Sequence, residues 1–194
     1  MILYHAQGSC SEGILMLLRL SGAKFDLQPI SFAQKDQQSP AFRAKNPKGK
    51  VPLLELDTGE LITEYPVISQ FIAEKYPQAR LLPEGGQSRR ETLSMVEYIV
   101  STLHMRGAAL VFRPERFTTV MEAHAEIAAN GRSIVAEGYE LLSKRLGAAD
   151  WFYEQPGSVE AAAYFITGWA PRLGLTLPDN LLRLRERISS AAGA

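Results

Sequence analysis

Cysteine is almost missing from this chain of 194 residues: Cys10 is the single one. One thiol excludes an internal disulfide framework and any CxxC or multi-cysteine metal site. Three histidines add too few ligands for a structural zinc centre to be expected. Net charge is missing as well, because 21 Lys+Arg balance 21 Asp+Glu. Without a basic excess there is no electrostatic reason to expect nucleic acid or an anionic membrane as partner. Long apolar runs are absent: the longest, Ile14 to Leu18, is far too short for a membrane span. Met1-Ile2-Leu3-Tyr4-His5 lacks a basic segment leading into an apolar stretch, so no signal peptide is read. The expected compartment is the cytoplasm, where a lone thiol stays reduced. What remains is ordinary globular material, with 46% hydrophobic and 22% charged residues and length enough for a sizeable core.

Two periodicities divide the chain. Ile2-Leu3-Tyr4 reads as a buried strand, and Ile14, Leu15, Leu17 and Leu18 follow at helical spacing, with Gly22 as the expected C′ residue to close the helix. Phe25 to Ile30 and Val51 to Leu56 read as strands. Asp57-Thr58-Gly59 makes a hairpin turn into Glu60-Leu61-Ile62, and Pro66 opens a helix that runs to Tyr76. The order is β-α-β, an irregular segment, then β-β-α. A proline- and glycine-rich stretch around residues 79–87, carrying Leu81-Leu82, reads as a linker with an apolar anchor. Beyond it the strand signal disappears. Leu93, Val96, Val100 and Leu103 share one helical face; Ile127, Ile134, Val135, Leu141 and Leu142 share another. Thr119 to Glu122 has the capping-box pattern and is expected to start the second of four helices. The expectation is a small α/β domain over residues 1–78 and an all-helical domain over 88–194.

Three local patterns carry chemistry. Cys10, between Ser9 and Ser11, lies just before a helix, where unpaired backbone N–H groups and the positive dipole end favour an anion. That anion is either the Cys10 thiolate or the sulfur of a bound thiol; a small buried residue beside two capping serines explains the segment equally well. Val51-Pro52 places a proline at a strand start, which suits a bend or a cis bond. A cis bond there would turn the Val51 N–H and C=O outward, toward an extended peptide. Glu64-Tyr65-Pro66 puts an acid and free N–H groups at a helix start, a fit for a zwitterionic amino-acid end.

Taken in order, Ser9-Cys10-Ser11, Asn46-Pro47-x-Gly49-x-Val51-Pro52 and Asp57-x-Gly59-x-Leu61-x-Thr63-Glu64-x-Pro66-x-Ile68 resemble the N-terminal domain of glutathione transferases. Tyr98-Ile99-x-x-x-Leu103-His104, followed by Phe112-Arg113-Pro114, resembles the first helix of the helical domain in the bacterial beta class. The resemblance implies an α+β protein: a thioredoxin-like domain followed by an all-α domain, with the site between them. It implies that Val51 and a cis Pro52 pair with the cysteinyl part of glutathione, and that Glu64 and the Tyr65 N–H hold the γ-glutamyl end. Lys35 and Lys50 would approach the glycyl end, and Cys10, Ser11 and His104 would surround the sulfur. The implied activity is conjugation of glutathione, as co-substrate, to small hydrophobic electrophiles by a detoxifying homodimer. Two alternatives are a glutathione-dependent disulfide reductase or peroxidase using Cys10, and a non-enzymatic binding protein on the same scaffold.

Three departures stand out. Tyr65 occupies a position usually held by Ser, Thr or Gly, so a hydroxyl is lost beside the γ-glutamyl carboxylate and a ring must be housed. The usual capping box after Gly157 is halved: Ser158 with Ala161 lacks the acid, and Gly157 with Glu160 lacks the hydroxyl. Either half is expected to cap less well than the whole. The segment from Met105 to Val111 is one residue longer than is common in the family.

Overall fold

The computed structural model describes residues 1–193. Strands β1 (Ile2–His5), β2 (Asp26–Pro29), β3 (Leu53–Glu55) and β4 (Leu61–Thr63) form a sheet in the order β2-β1-β3-β4. β1 runs parallel to β2 and antiparallel to β3, with Leu3 opposite Leu27 and Leu54; the hairpin pairs Leu54 with Ile62. The parallel pair needs a crossover, and α1 (Ser11–Leu20) supplies it. Gly22, at φ +70°, ends that crossover as its sequence position predicts. Helix α2 (Pro40–Lys45) starts on the Ser39 hydroxyl, which accepts the Phe42 N–H at 3.2 Å, and delivers the chain to the Asn46–Val51 loop. Helix α3 (Tyr65–Lys75) follows β4.

Leu81 and Leu82 are both buried, each worth roughly 1.5–3 kcal/mol of transfer free energy. The anchor read in the sequence therefore docks, and the Leu81 carbonyl accepts the Ser158 N–H at 2.9 Å. The remainder is helical: α4 (Gly86–Glu97), a π-helix (Tyr98–Ala108), α5 (Ala109–Phe112), α6 (His124–Leu146), α7 (Ser158–Gly168), α8 (Ala170–Leu173) and α9 (Asp179–Ala191). Helix α7 is buried on nearly every side, which its run Ala161-Ala162-Ala163 permits by keeping neighbours close. It packs on α1, so the two halves share one apolar core.

Two expectations need correction. Helix α6 does not begin at Thr119 to Glu122; Val120 is extended and a 3₁₀ turn over Met121–Ala123 intervenes before His124. Leu141, expected on the buried face, is exposed, while Val135 and Leu142 are fully buried.

Candidate functional site

A cavity of about 480 Å³ opens between the sheet half and the helical half. Gly8, Ser9, Cys10, Lys48, Lys50 and Val51 line it from one side; His104, Met105, Phe112 and Trp169 line it from the other. Helix α1 begins one residue after Cys10, as the sequence implied. The Cys10 thiol lies 3.7 Å from the Val51 carbonyl and donates to it. Burial pushes this thiol up to about 12, outweighing the backbone N–H groups at the helix start. Cys10 is thus a protonated thiol at pH 7, despite the helix N-terminus beside it.

The Val51-Pro52 bond is cis. Glu64 stands one position before α3, at φ +70°, a backbone region uncommon for residues with a side chain and concentrated at functional sites. Its carboxylate meets Lys48 Nζ at 2.6 Å, and Lys48 also donates to the Thr63 hydroxyl at 2.9 Å. The helix starts at Tyr65 itself, so Glu64, not Tyr65, takes the capping position.

The Tyr65 ring turns inward. It is fully buried, with its centroid 5.1 Å from that of Phe165. Gly13 makes the space, since a Cβ there would sit 2.5 Å from the Tyr65 hydroxyl oxygen. The ring therefore leaves the start of α3 open. The hydroxyl itself has no hydrogen-bond partner among the described residues, and burial holds its pKa well above the usual tyrosine value. Tyr65→Phe removes an unsatisfied buried group and is expected to stabilise the protein by about 1 kcal/mol. Urea unfolding checks this; a loss of stability would reveal a partner for the hydroxyl.

His104 sits in the π-helix, edge-on to Trp169 (5.0 Å between centroids) and Phe165 (5.7 Å). Burial, helped by the positive charge of Lys50, brings its pKa down to about 4, so the ring is neutral at pH 7. Its Nδ1 is buried without a partner among the described residues.

Of the expected site residues, Pro52, Glu64 and Tyr65 lie outside the cavity lining, and Ser11 and Lys35 are placed elsewhere. The Ser11 hydroxyl is buried beneath the cavity, in contact with His5 Nδ1 (2.8 Å) and the Ser9 hydroxyl (2.7 Å), and accepts the Ala6 N–H at 3.1 Å. It ties the β1–α1 turn together and does not face the cavity. Lys35 occupies an exposed left-handed turn outside the cavity lining. Lys48, two residues before Lys50, lines the cavity instead. Sequence reasoning also passed over Arg116 and Arg172, which reach it from the helical half. Arg172 donates to the Gly8 carbonyl at 2.9 Å and lies over the Phe112 ring.

A thioredoxin-like sheet, a cis proline facing a helix start, and an all-α second half define a glutathione-transferase fold. Residues 8–75 match the model for the glutathione S-transferase N-terminal domain. A glutathione S-transferase, GstA, of Escherichia coli O157:H7 is 38% identical over 117 residues, 59% of this chain and 58% of that protein. The chain spans about half the length of the curated relatives it matches. Solved structures align over nearly the whole length. A sphingomonad glutathione S-transferase complexed with glutathione gives a TM-score of 0.83 at 29% identity, covering 100% of this chain and 96% of that one. The bacterial beta-class enzyme of Sphingomonas chungbukensis gives 0.83 at 27%, with the same coverage. Residues 8–75 thus carry the glutathione S-transferase N-terminal domain, and the chain as a whole has the fold of these solved transferases.

Proposed function

We propose that this chain is a beta-class-like glutathione transferase that conjugates glutathione to electrophilic carbon. The observation that carries the reading is the convergence of Cys10, Val51 and His104 on one cavity, with cis Pro52 and the Glu64–Lys48 pair beside it. The Val51 backbone presents an edge for the cysteinyl peptide, and the open start of α3 receives the γ-glutamyl carboxylate while Glu64 takes its ammonium. Lys50 is placed for the glycyl carboxylate. The glutathione thiol gives up its proton, its sulfur attacks the electrophile, and the leaving group departs with the electron pair. Binding energy from both ends of the tripeptide fixes the sulfur. A neutral His104 acts as a hydrogen-bond partner for sulfur, so the positive field comes from Lys50 and the N-terminus of α1. The relatives' complexes with glutathione, the division into residues 1–78 and 88–194, and a cytoplasmic homodimer all belong to this reading.

The high pKa of Cys10 favours conjugation over thiol–disulfide exchange, since only the thiolate attacks a disulfide. The inward Tyr65 ring removes one motive for a non-enzymatic reading. Cys10→Ala is therefore expected to keep aryl-halide turnover within about tenfold of wild type, whereas His104→Ala lowers kcat by about a hundredfold, the scale of removing one hydrogen-bond donor from a developing anion. Steady-state kinetics together with calorimetric glutathione titration decides the matter. Abolished turnover in Cys10→Ala would support the exchange reading, and no binding at millimolar glutathione would sink both.

A further inference from the structure

The cavity is lined by five side chains that are cationic at pH 7, Lys48, Lys50, Arg113, Arg116 and Arg172, and by no aspartate or glutamate. Glutathione accounts for only part of this. Lys48 is already neutralised by Glu64 at 2.6 Å, and Lys50 suffices for one glycyl carboxylate. The γ-glutamyl group carries its own ammonium, and the sulfur has the start of α1. The three arginines all come from the helical half. Arg113 has one loose ion pair, with Glu115 at 3.7 Å, and Arg116 has none among the described residues. Arg172 spends one N–H on the Gly8 carbonyl and lies with its guanidinium carbon 4.5 Å from the centre of the Phe112 ring. Four N–H donors of Arg172 remain for a ligand. The same wall is apolar: Phe112 and Trp169 meet edge-on with ring centroids 5.5 Å apart, and Met105 also lines the cavity.

We propose that the second substrate of this site is an anionic aromatic electrophile, with its ring against Phe112 and Trp169 and its carboxylate on Arg116 and Arg172. The inference rests on the conjugating function proposed above and narrows its substrate class. Guanidinium groups hold a carboxylate in a bidentate fork, which a neutral substrate cannot exploit. The reaction balances as simple substitution: the glutathione sulfur bonds to the ring carbon bearing the halogen, halide leaves with the bonding pair, and the thiol proton passes to solvent.

The test compares a chloronitrobenzoate with the matching chloronitrobenzamide. Each kcat/KM is divided by the rate constant for free glutathione thiolate with the same compound, which removes the difference in intrinsic reactivity. The normalised ratio is expected to favour the benzoate by about tenfold or more, the scale of hydrogen bonds to a charged group. In Arg116→Gln/Arg172→Gln it falls toward one, with the loss on KM for the benzoate and not on KM for glutathione. A single Arg116→Gln variant, at an exposed position, gives the same direction should the double variant fold poorly. Equal normalised values for the two compounds overturn the proposal. So does a variant that raises KM for glutathione instead, which would give the arginines to the tripeptide. Calorimetric binding of the benzoate to glutathione-free protein separates the two claims. Binding that the variants abolish, without turnover of any electrophile, upholds the anion site and refutes the transferase reading.

Discussion

Gly13→Ala is expected to destabilise the protein by about 3 kcal/mol or more, read as a fall in the urea midpoint, and to cost glutathione binding with it. A Cβ at this point of α1 would lie 2.5 Å from the Tyr65 hydroxyl, 2.6 Å from the Ala161 carbonyl and 2.9 Å from the Phe165 ring. The middle neighbour is backbone in the core of α7 and cannot swing aside. The helices must separate, and α1 begins directly after Cys10 while α7 carries Phe165, on which His104 rests. Gly13→Ala/Tyr65→Phe separates the causes. Relief of the hydroxyl contact alone recovers only part of the loss, because the contact with Ala161 persists. Full recovery would show that the helices are not in limiting contact.

Glu160→Gln should cost about 3 kcal/mol as well. Glu160 is 1% exposed, and its two oxygens accept the Gly157 N–H at 2.9 Å and the Phe152 N–H at 2.8 Å. Glutamine offers one acceptor and turns an N–H at the other donor. The structure thus selects Gly157–Glu160 from the two half-boxes visible in the sequence, and explains the missing hydroxyl: a Cβ at Gly157 would sit 2.4 Å from the Leu81 carbonyl. The acid holds two loops where a usual box joins one. Burial raises the Glu160 pKa, with both N–H groups opposing the rise. The group therefore binds a proton more readily folded than unfolded, and its contribution to stability declines as pH rises from the ordinary glutamate value through the raised one. Denaturant midpoints across that window should drift down in wild type and stay flatter in Glu160→Gln; equal stability of the two proteins at neutral pH would refute the cap.

Much of the site was legible because its parts are local. Val51-Pro52 and Glu64-Tyr65-Pro66 announce their backbone chemistry within a few residues, and a cysteine before a helical pattern announces a helix N-terminus. What failed to show in the sequence depends on tertiary direction. Whether the Ser11 hydroxyl faces a cavity or His5 is decided by the β1–α1 turn, and the two serines look alike in sequence. Lys48 and Lys50 differ by two residues in a loop, and only the fold shows that Lys48 reaches Glu64. Arg116 and Arg172 come from separate elements, so no spacing links them; a net charge of zero conceals five cations around one cavity. The halved capping box looked weak because its second donor, Phe152, lies outside the motif.

The π-helix from Tyr98 to Ala108 carries His104 and runs straight into α5, which carries Phe112. A wider coil takes up an added residue without a bulging loop. The aim of His104 relative to the aromatic wall is consequently a matter of counting. Removing one residue between them without a change of coil would rotate everything downstream by about 100°. Within this stretch the molecule is tolerant of which side chains it holds on the solvent side and intolerant of how many residues it has, so divergence among close relatives should be written there in substitutions and not in length.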